Sequence, residues 1–208
     1  MQSQTRLPGD GQLREVLRAN MRSRTVSPGE GQDSAWAAVE LGPSLPMAAY
    51  TSVEPWHHER IGALALYCSD GRWGEAFDDF CHRHLHIPRY DRWAVPGGPA
   101  WLVQRDSDQD LFSSIRRQLD FLVRVHELER MVLITHFGCA FYGEMLHASG
   151  HDCLNAQLND LNIAAKSLNE WYPEMAVDTY LAMQRGRCLS FHQIKAGMSL
   201  SKLVSSVS

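Results

Sequence analysis

The chain has 208 residues, 44% hydrophobic and 21% charged, an ordinary balance for a globular protein able to bury a substantial core. Its 20 basic and 24 acidic side chains leave a formal charge of −4, without the dense basic block that marks a nucleic-acid or anionic-membrane partner. No run reaches the ~20 apolar residues of a membrane span, no signal-peptide core opens the chain, and 5 cysteines do not make a disulfide framework, so reduced thiols in the cytoplasm are expected.

Residues 1–56 form a compositional zone of their own. Pro8-Gly9-Asp10-Gly11 and Pro28-Gly29-Glu30-Gly31 punctuate it as turns, and Leu13, Val16 and Leu17 between them have helical spacing. The zone has too few apolar residues for a separate core, so an N-terminal arm or extension is expected, with Trp36 and Trp56 as its anchors. The remaining residues, 57–208, are expected to form one α/β domain.

That domain opens with Ile61-Gly-Ala-Leu-Ala-Leu-Tyr67, a short apolar run that reads as a buried strand. Phe77, Phe80, Cys81 and His84 then recur at helical intervals and predict a helix over about 74–86. A second short strand is expected near Trp101-Leu-Val103, after the Pro96-Gly-Gly-Pro99 turn. Leu111, Ile115, Leu119 and Leu122 line one helix face that leads into a strand at Met131-Val-Leu-Ile-Thr135. Leu158, Leu161, Ala165, Leu168 and Tyr172 mark a long amphipathic helix. Val177–Met183 and Cys188–Ile194 read as strands paired around Arg185-Gly186, before a Ser-rich end expected to fray. Apolar strands alternating with helices predict a mainly parallel β-sheet flanked by helices.

Cys68 directly follows the first strand, and His136-Phe-Gly-Cys139 follows the Met131–Thr135 strand. Ligands of open parallel sheets sit beyond the carboxyl ends of strands, so both segments point to the functional edge. Thiolate and imidazole donors suit zinc, and three protein ligands leave a fourth place for water, as in a catalytic site. Each residue alone reads equally as packing: a cysteine after an apolar strand is a small buried hydrophobe. Cys81, Cys153 and Cys188 have no such context and are given packing roles. His82, His84 and His86 alternate within a predicted helix, where alternate residues do not share a face, and read as polar surface or interface. Asp70 and Arg72 read either as an ordinary ion pair or as an orienting pair, in which Arg72 restrains Asp70 and Asp70 accepts a hydrogen bond from metal-bound water.

Cys68-Ser-Asp-Gly-Arg72 followed by His136-Phe-Gly-Cys139 resembles the Cys-x-Asp-x-Arg and His-x-x-Cys signatures of the β-class carbonic anhydrases, over roughly residues 60–195. The resemblance implies a Zn2+ ion held by Cys68, His136 and Cys139, with Asp70 and Arg72 as the catalytic dyad. It implies reversible hydration of carbon dioxide to bicarbonate, and a homodimer or higher homo-oligomer with sites near subunit contacts. Phe137, Phe141 and Tyr142 are expected to shape the pocket for a small uncharged substrate. The chain departs from the family pattern at Ala140, where glycine is usual, and at Arg92-Trp-Ala-Val-Pro-Gly-Gly98, which lacks the usual asparagines. The family's substrate-assisting glutamine before the first motif has no evident counterpart. Hydrolysis of carbonyl sulfide or carbon disulfide is the enzymatic alternative. A non-catalytic, zinc-stabilised structural or interaction protein is a second, and a reactive Cys68 nucleophile assisted by Arg72 is a third.

Overall fold

The computed structural model, which describes residues 47–57, 59–105, 109–148 and 150–198, places strand β1 at Ala63–Cys68. Every residue of β1 is buried, because both faces of this strand are covered. Leu64 and Leu66 join one apolar cluster, while Ala63, Ala65 and Tyr67 join another, as the two-residue side-chain period of a strand requires.

Helix α1 spans Gly71–Asp79 and continues as a π-helical turn at Phe80–His84. It starts earlier than residue 74 because Asp70 is its N-cap, accepting the Arg72 N–H at 3.1 Å. The next strand, β2, is Asp91–Val95, followed by a 3₁₀ helix at Gly98–Leu102. The strand expected at Trp101–Val103 is therefore corrected. Gly97 has φ +80° and turns the chain, Pro99 opens the short helix, and Trp101 donates its indole N–H to the Pro96 carbonyl at 2.6 Å. Helix α2 covers Gln109–His126, strand β3 Arg130–His136, helix α3 Ala140–Leu146 and helix α4 His151–Trp171. Strands β4, Ala176–Arg185, and β5, Cys188–Gln193, form the expected antiparallel hairpin.

The sheet has the order β2-β1-β3-β4-β5, with parallel pairing from β2 through β4. It is thus an α/β fold with a mainly parallel sheet flanked by helices. Residues of α1 and its π turn pack on one face, around Phe77, Phe80 and Cys81, while Leu119 of α2 and Leu158, Leu161 and Leu168 of α4 pack on the other. The chain leaves β1 toward β2 on one side and returns to β3 on the other. That reversal opens a crevice at the carboxyl ends of β1 and β3, where ligands of open α/β sheets bind.

All these elements lie in a compact unit that begins at Arg60. No described helix is long and apolar enough to cross a membrane. Residues 47–57 and Glu59 carry no helix or strand. The expected helix around Leu13, Val16 and Leu17, the anchoring role of Trp36 and the Ser-rich end lie outside the described residues.

Candidate metal centre

The crevice receives one ligand type from each strand end. The β1–β3 ladder runs to Tyr67 opposite Ile134, so Cys68 and His136 emerge side by side at one edge of the sheet. Gly138, at φ +74°, turns the chain after β3 and brings Cys139 back as the N-cap of α3. The donor atoms of Cys68, His136 and Cys139 all lie within 4.8 Å of one another, and the two sulfurs are 3.6 Å apart. All three residues are buried.

The imidazole is oriented for coordination. His136 Nδ1 lies 3.1 Å from the Phe137 carbonyl, which can only accept, so Nδ1 carries the hydrogen and Nε2 keeps its lone pair. Nε2 is buried and has no hydrogen-bond partner among the described residues. Buried polar atoms are normally paired, and an orphaned imidazole nitrogen beside two sulfurs fits a metal ion. The indole of Trp73 packs 4.6 Å from the imidazole, centroid to centroid, and restricts its rotation.

The sulfurs are equally prepared. The Cys68 and Cys139 sulfurs share a contact in which either can donate, and Cys68 also receives the Gly97 N–H at 3.4 Å. The neighbouring Cys139 sulfur, with the N–H groups of Gly97 and Asp70, pushes Cys68 far below the ordinary thiol range despite its burial. The same contact raises Cys139, as does burial, while the Phe141 and Tyr142 N–H groups at the start of α3 act in the opposite sense. Two sulfurs this close favour loss of a proton from the pair, and thiolates are the form in which cysteines become metal ligands.

Beside this cluster opens a cleft of about 450 Å³, lined by Cys68, Ser69, Asp70, Pro96, Ala140, Phe141, Glu144 and Met145. Arg72 Nε donates to both Asp70 oxygens, at 2.9 and 3.1 Å, and its Nη2 also reaches Oδ2. These bonds hold the Asp70 carboxyl down at about 2, well inside the ionised state at neutral pH. Asp70 thus caps α1 and presents a charge to the cleft at the same time.

Of the expected pocket residues, only Phe141 lines the cleft. Phe137 turns outward and is exposed, and Tyr142 is buried, donating to Asp160 Oδ2 at 2.7 Å. Ala140 occupies the first turn of α3, where an ordinary helical conformation accepts a methyl group. The divergent 92–98 segment supplies β2 and then the Gly97 N–H to the Cys68 sulfur. Arg92 is tied instead to Asp78, at 3.0 Å. Gly98 is indispensable here: a Cβ at its φ of +54° would lie 2.9 Å from the Cys68 nitrogen and the Tyr67 carbonyl carbon.

Cys81 and Cys153 are buried as expected, but Cys188 is exposed, because it begins β5 at the tip of the hairpin. Among the described residues, His82, His84 and His86 join no metal-binding cluster. Sequence reasoning missed Gln157 and Asp160, polar residues buried on α4. Their positions among Leu154, Leu158 and Leu161 were the available signal, since a polar residue inside an apolar helix stripe requires a partner.

The chain matches the family described as "Putative carbonic anhydrase" over residues 58–192, more than half its length. No curated protein matches it. Among solved structures it is similar to a β-carbonic anhydrase of the fungal pathogen Aspergillus fumigatus, at 15% identity, covering 72% of this chain and 82% of that one, with a TM-score of 0.39. It is also similar to β-carbonic anhydrase isoform I of the protozoan Trichomonas vaginalis, at 12% identity, covering 90% and 99% of the two chains, with a TM-score of 0.37. The family match spans both strand ends that build the Cys68, His136 and Cys139 cluster, and the chain belongs to this "Putative carbonic anhydrase" family.

Proposed function

We propose that Cys68, His136 and Cys139 hold a zinc ion and that the chain catalyses reversible hydration of carbon dioxide to bicarbonate. The observation that carries this reading is the convergence of two sulfurs and an unpartnered imidazole nitrogen beside a cleft with apolar walls. Two thiolates and an imidazole are a donor set that zinc favours, and a three-residue shell leaves a fourth position open. When bound, zinc supplies Lewis acidity, lowering the pKa of water and stabilising negative charge on oxygen.

The protein's own groups do the rest. Pro96, Ala140, Phe141 and Met145 shape the cleft for a small uncharged molecule. Asp70 orients the attacking water by accepting its hydrogen bond, a role its ionised carboxylate performs better than a neutral group. Arg72 holds that carboxylate in a fork and keeps it from swinging onto the metal position. As water oxygen bonds to the substrate carbon, the lost proton leaves through the cleft mouth to solvent.

The same apolar walls suit carbonyl sulfide and carbon disulfide, which are also linear and electrophilic at carbon, so hydrolysis of these is the second reading. Metal analysis of protein purified without chelator, paired with stopped-flow hydration, tests the first. About one zinc per chain and hydration above the metal-free control are expected. Zinc with turnover of the sulfur compounds alone selects the second reading, and zinc without any turnover a non-catalytic protein. A homodimer or larger assembly accompanies this reading, and light scattering that returned 23.5 kDa at every concentration would contradict it.

A further inference from the structure

One face of α4 bonds to the strand that carries His136 and to the helix that Cys139 caps, and through Arg105 to the 3₁₀ helix beside Cys68. Gln157 donates its Nε2 to the backbone carbonyl of His136 at 2.7 Å, at the end of β3. One turn on, Asp160 Oδ2 accepts from the Tyr142 hydroxyl, in the helix that Cys139 caps. The same oxygen accepts from Arg105 Nη2, and Arg105 Nη1 donates at 2.7 Å to the Ala100 carbonyl in the 3₁₀ helix. That helix follows directly on Gly97, whose N–H reaches the Cys68 sulfur. Ala100 and Tyr142 are packed in one cluster with Cys68 and Cys139.

Packing alone does not explain these side chains. Gln157 is 1% exposed, and its Oε1 is buried without a partner among the described residues. An apolar residue of similar size would fill the space without that desolvation cost. What the amide adds is a fixed hydrogen bond to the main chain of a ligand residue. Asp160 likewise adds a joint between two segments that are separate in sequence, through Tyr142 and Arg105.

We infer that Gln157 and Asp160 are positioning residues of the metal centre, setting the spacing of its donor atoms through the His136 carbonyl, Tyr142 and Arg105. The inference rests on the zinc reading above. Residues that orient ligands from behind typically contribute about 10–100-fold to metal affinity.

The test measures zinc affinity by chelator competition, and geometry by the thiolate charge-transfer bands of the cobalt-substituted protein. It uses full-length Gln157→Met, Tyr142→Phe, Asp160→Leu and Asp160→Asn. Leu168→Ala, a core change on the same helix away from the network, reports plain destabilisation. Gln157→Met and Asp160→Leu are expected to weaken zinc about 10-fold or more and to shift the cobalt bands. Asp160→Asn, which keeps an oxygen for Tyr142, is expected to recover part of the loss. Tyr142→Phe removes a single oxygen and keeps the test open if Asp160→Leu does not fold. Leu168→Ala is expected to lower the Tm while keeping the parent's affinity and spectrum. Parental affinity and bands in Gln157→Met and Tyr142→Phe, or equal losses in Leu168→Ala, overturn the inference while leaving the zinc reading intact. A parent protein that binds no zinc overturns both.

Discussion

The two strand ends that meet at the candidate metal centre are built in different ways. The Cys68 end is open: Asp70 and Arg72 form an ion pair on the helix that follows, with the Arg72 side chain 74% exposed. The His136–Cys139 end is enclosed, with Trp73 against the imidazole, Gln157 on the His136 carbonyl and Tyr142 anchored to Asp160. The difference separates two tasks that one site must combine. Ligand geometry needs buried, mutually fixed groups, whereas substrate entry and proton exit need a face in contact with water. Under the proposed function, the exposed pair would tune chemistry and the buried bonds would set where the donors stand.

The ligands themselves provide the harshest test of this division. Cys68→Ser, His136→Ala and Cys139→Ser are each expected to lose stoichiometric zinc and to lose thermal stability, because coordination contributes directly to folding free energy. Cys81→Ser, Cys153→Ser and Cys188→Ser should retain it, whatever their packing costs. Metal analysis of the six proteins is sufficient, and tight, stoichiometric zinc in all of the first three would remove the shell.

At the open end, the expected losses fall on activity instead of metal content. Asp70→Asn keeps the α1 cap, since asparagine caps as well as aspartate, but removes the charge. Zinc content should stay near the parent value while hydration falls about 10–100-fold, the usual scale for groups that orient a metal site. Arg72→Ala frees the carboxylate to occupy the open position, so anion binding to the cobalt form should weaken as well. Full activity in both variants would reduce the pair to a helix cap.

The loop between the two ends is predicted to respond next. Gly98→Ala forces a side chain into φ +54° and against the backbone of Cys68, at an expected cost of about 1–3 kcal/mol. Gly97→Ala meets the Phe141 side chain, which must shift as a whole because its Cγ would lie 2.8 Å away; a side chain yields more readily than the Cys68 backbone, so the cost in chemical denaturation should be smaller. The reverse ranking would mean that the loop does not rest on the Cys68 strand end.

The smallest effect concerns pH. Arg72 holds Asp70 at about 2, below its ordinary value of 3.8. A depressed carboxylate favours the folded state above the ordinary value, and that contribution disappears as pH falls through the depressed one. Urea unfolding of the parent and Asp70→Asn should therefore differ by a constant amount above about pH 4, with the gap narrowing between about 4 and 2. A gap that already narrowed near neutrality would show that Arg72 does not hold the carboxylate in solution.

Much of this was legible along the chain. Leu64, Leu66 and the run Met131–Ile134 are apolar because both faces of their strands are covered, and such continuity is what a central parallel strand requires. Cys68 and His136-Phe-Gly-Cys139 could be placed at the functional edge because each directly follows such a run. The strand expected near Trp101–Val103 was a misreading: its apolar residues suit a strand or a short helix equally, and the positive φ of Gly97 and the Trp101 bond to Pro96 separate the two. The pocket was misread at Tyr142 because spacing within α3 does not say which side faces the cleft and which faces Asp160.

The amino-acid sequence by itself determined the class of fold and the donor types, since strand burial and metal preference are local properties of residue patterns. Strand order was a tertiary decision. Placing β1 next to β3, and so Cys68 next to His136, depends on covering both sheet faces with helices at once, which no single segment encodes. The same holds for Gln157 and Asp160. A buried amide and a buried carboxylate announce that they need partners, but which carbonyl and which hydroxyl they find is settled only when α4 packs against the ends of the strands.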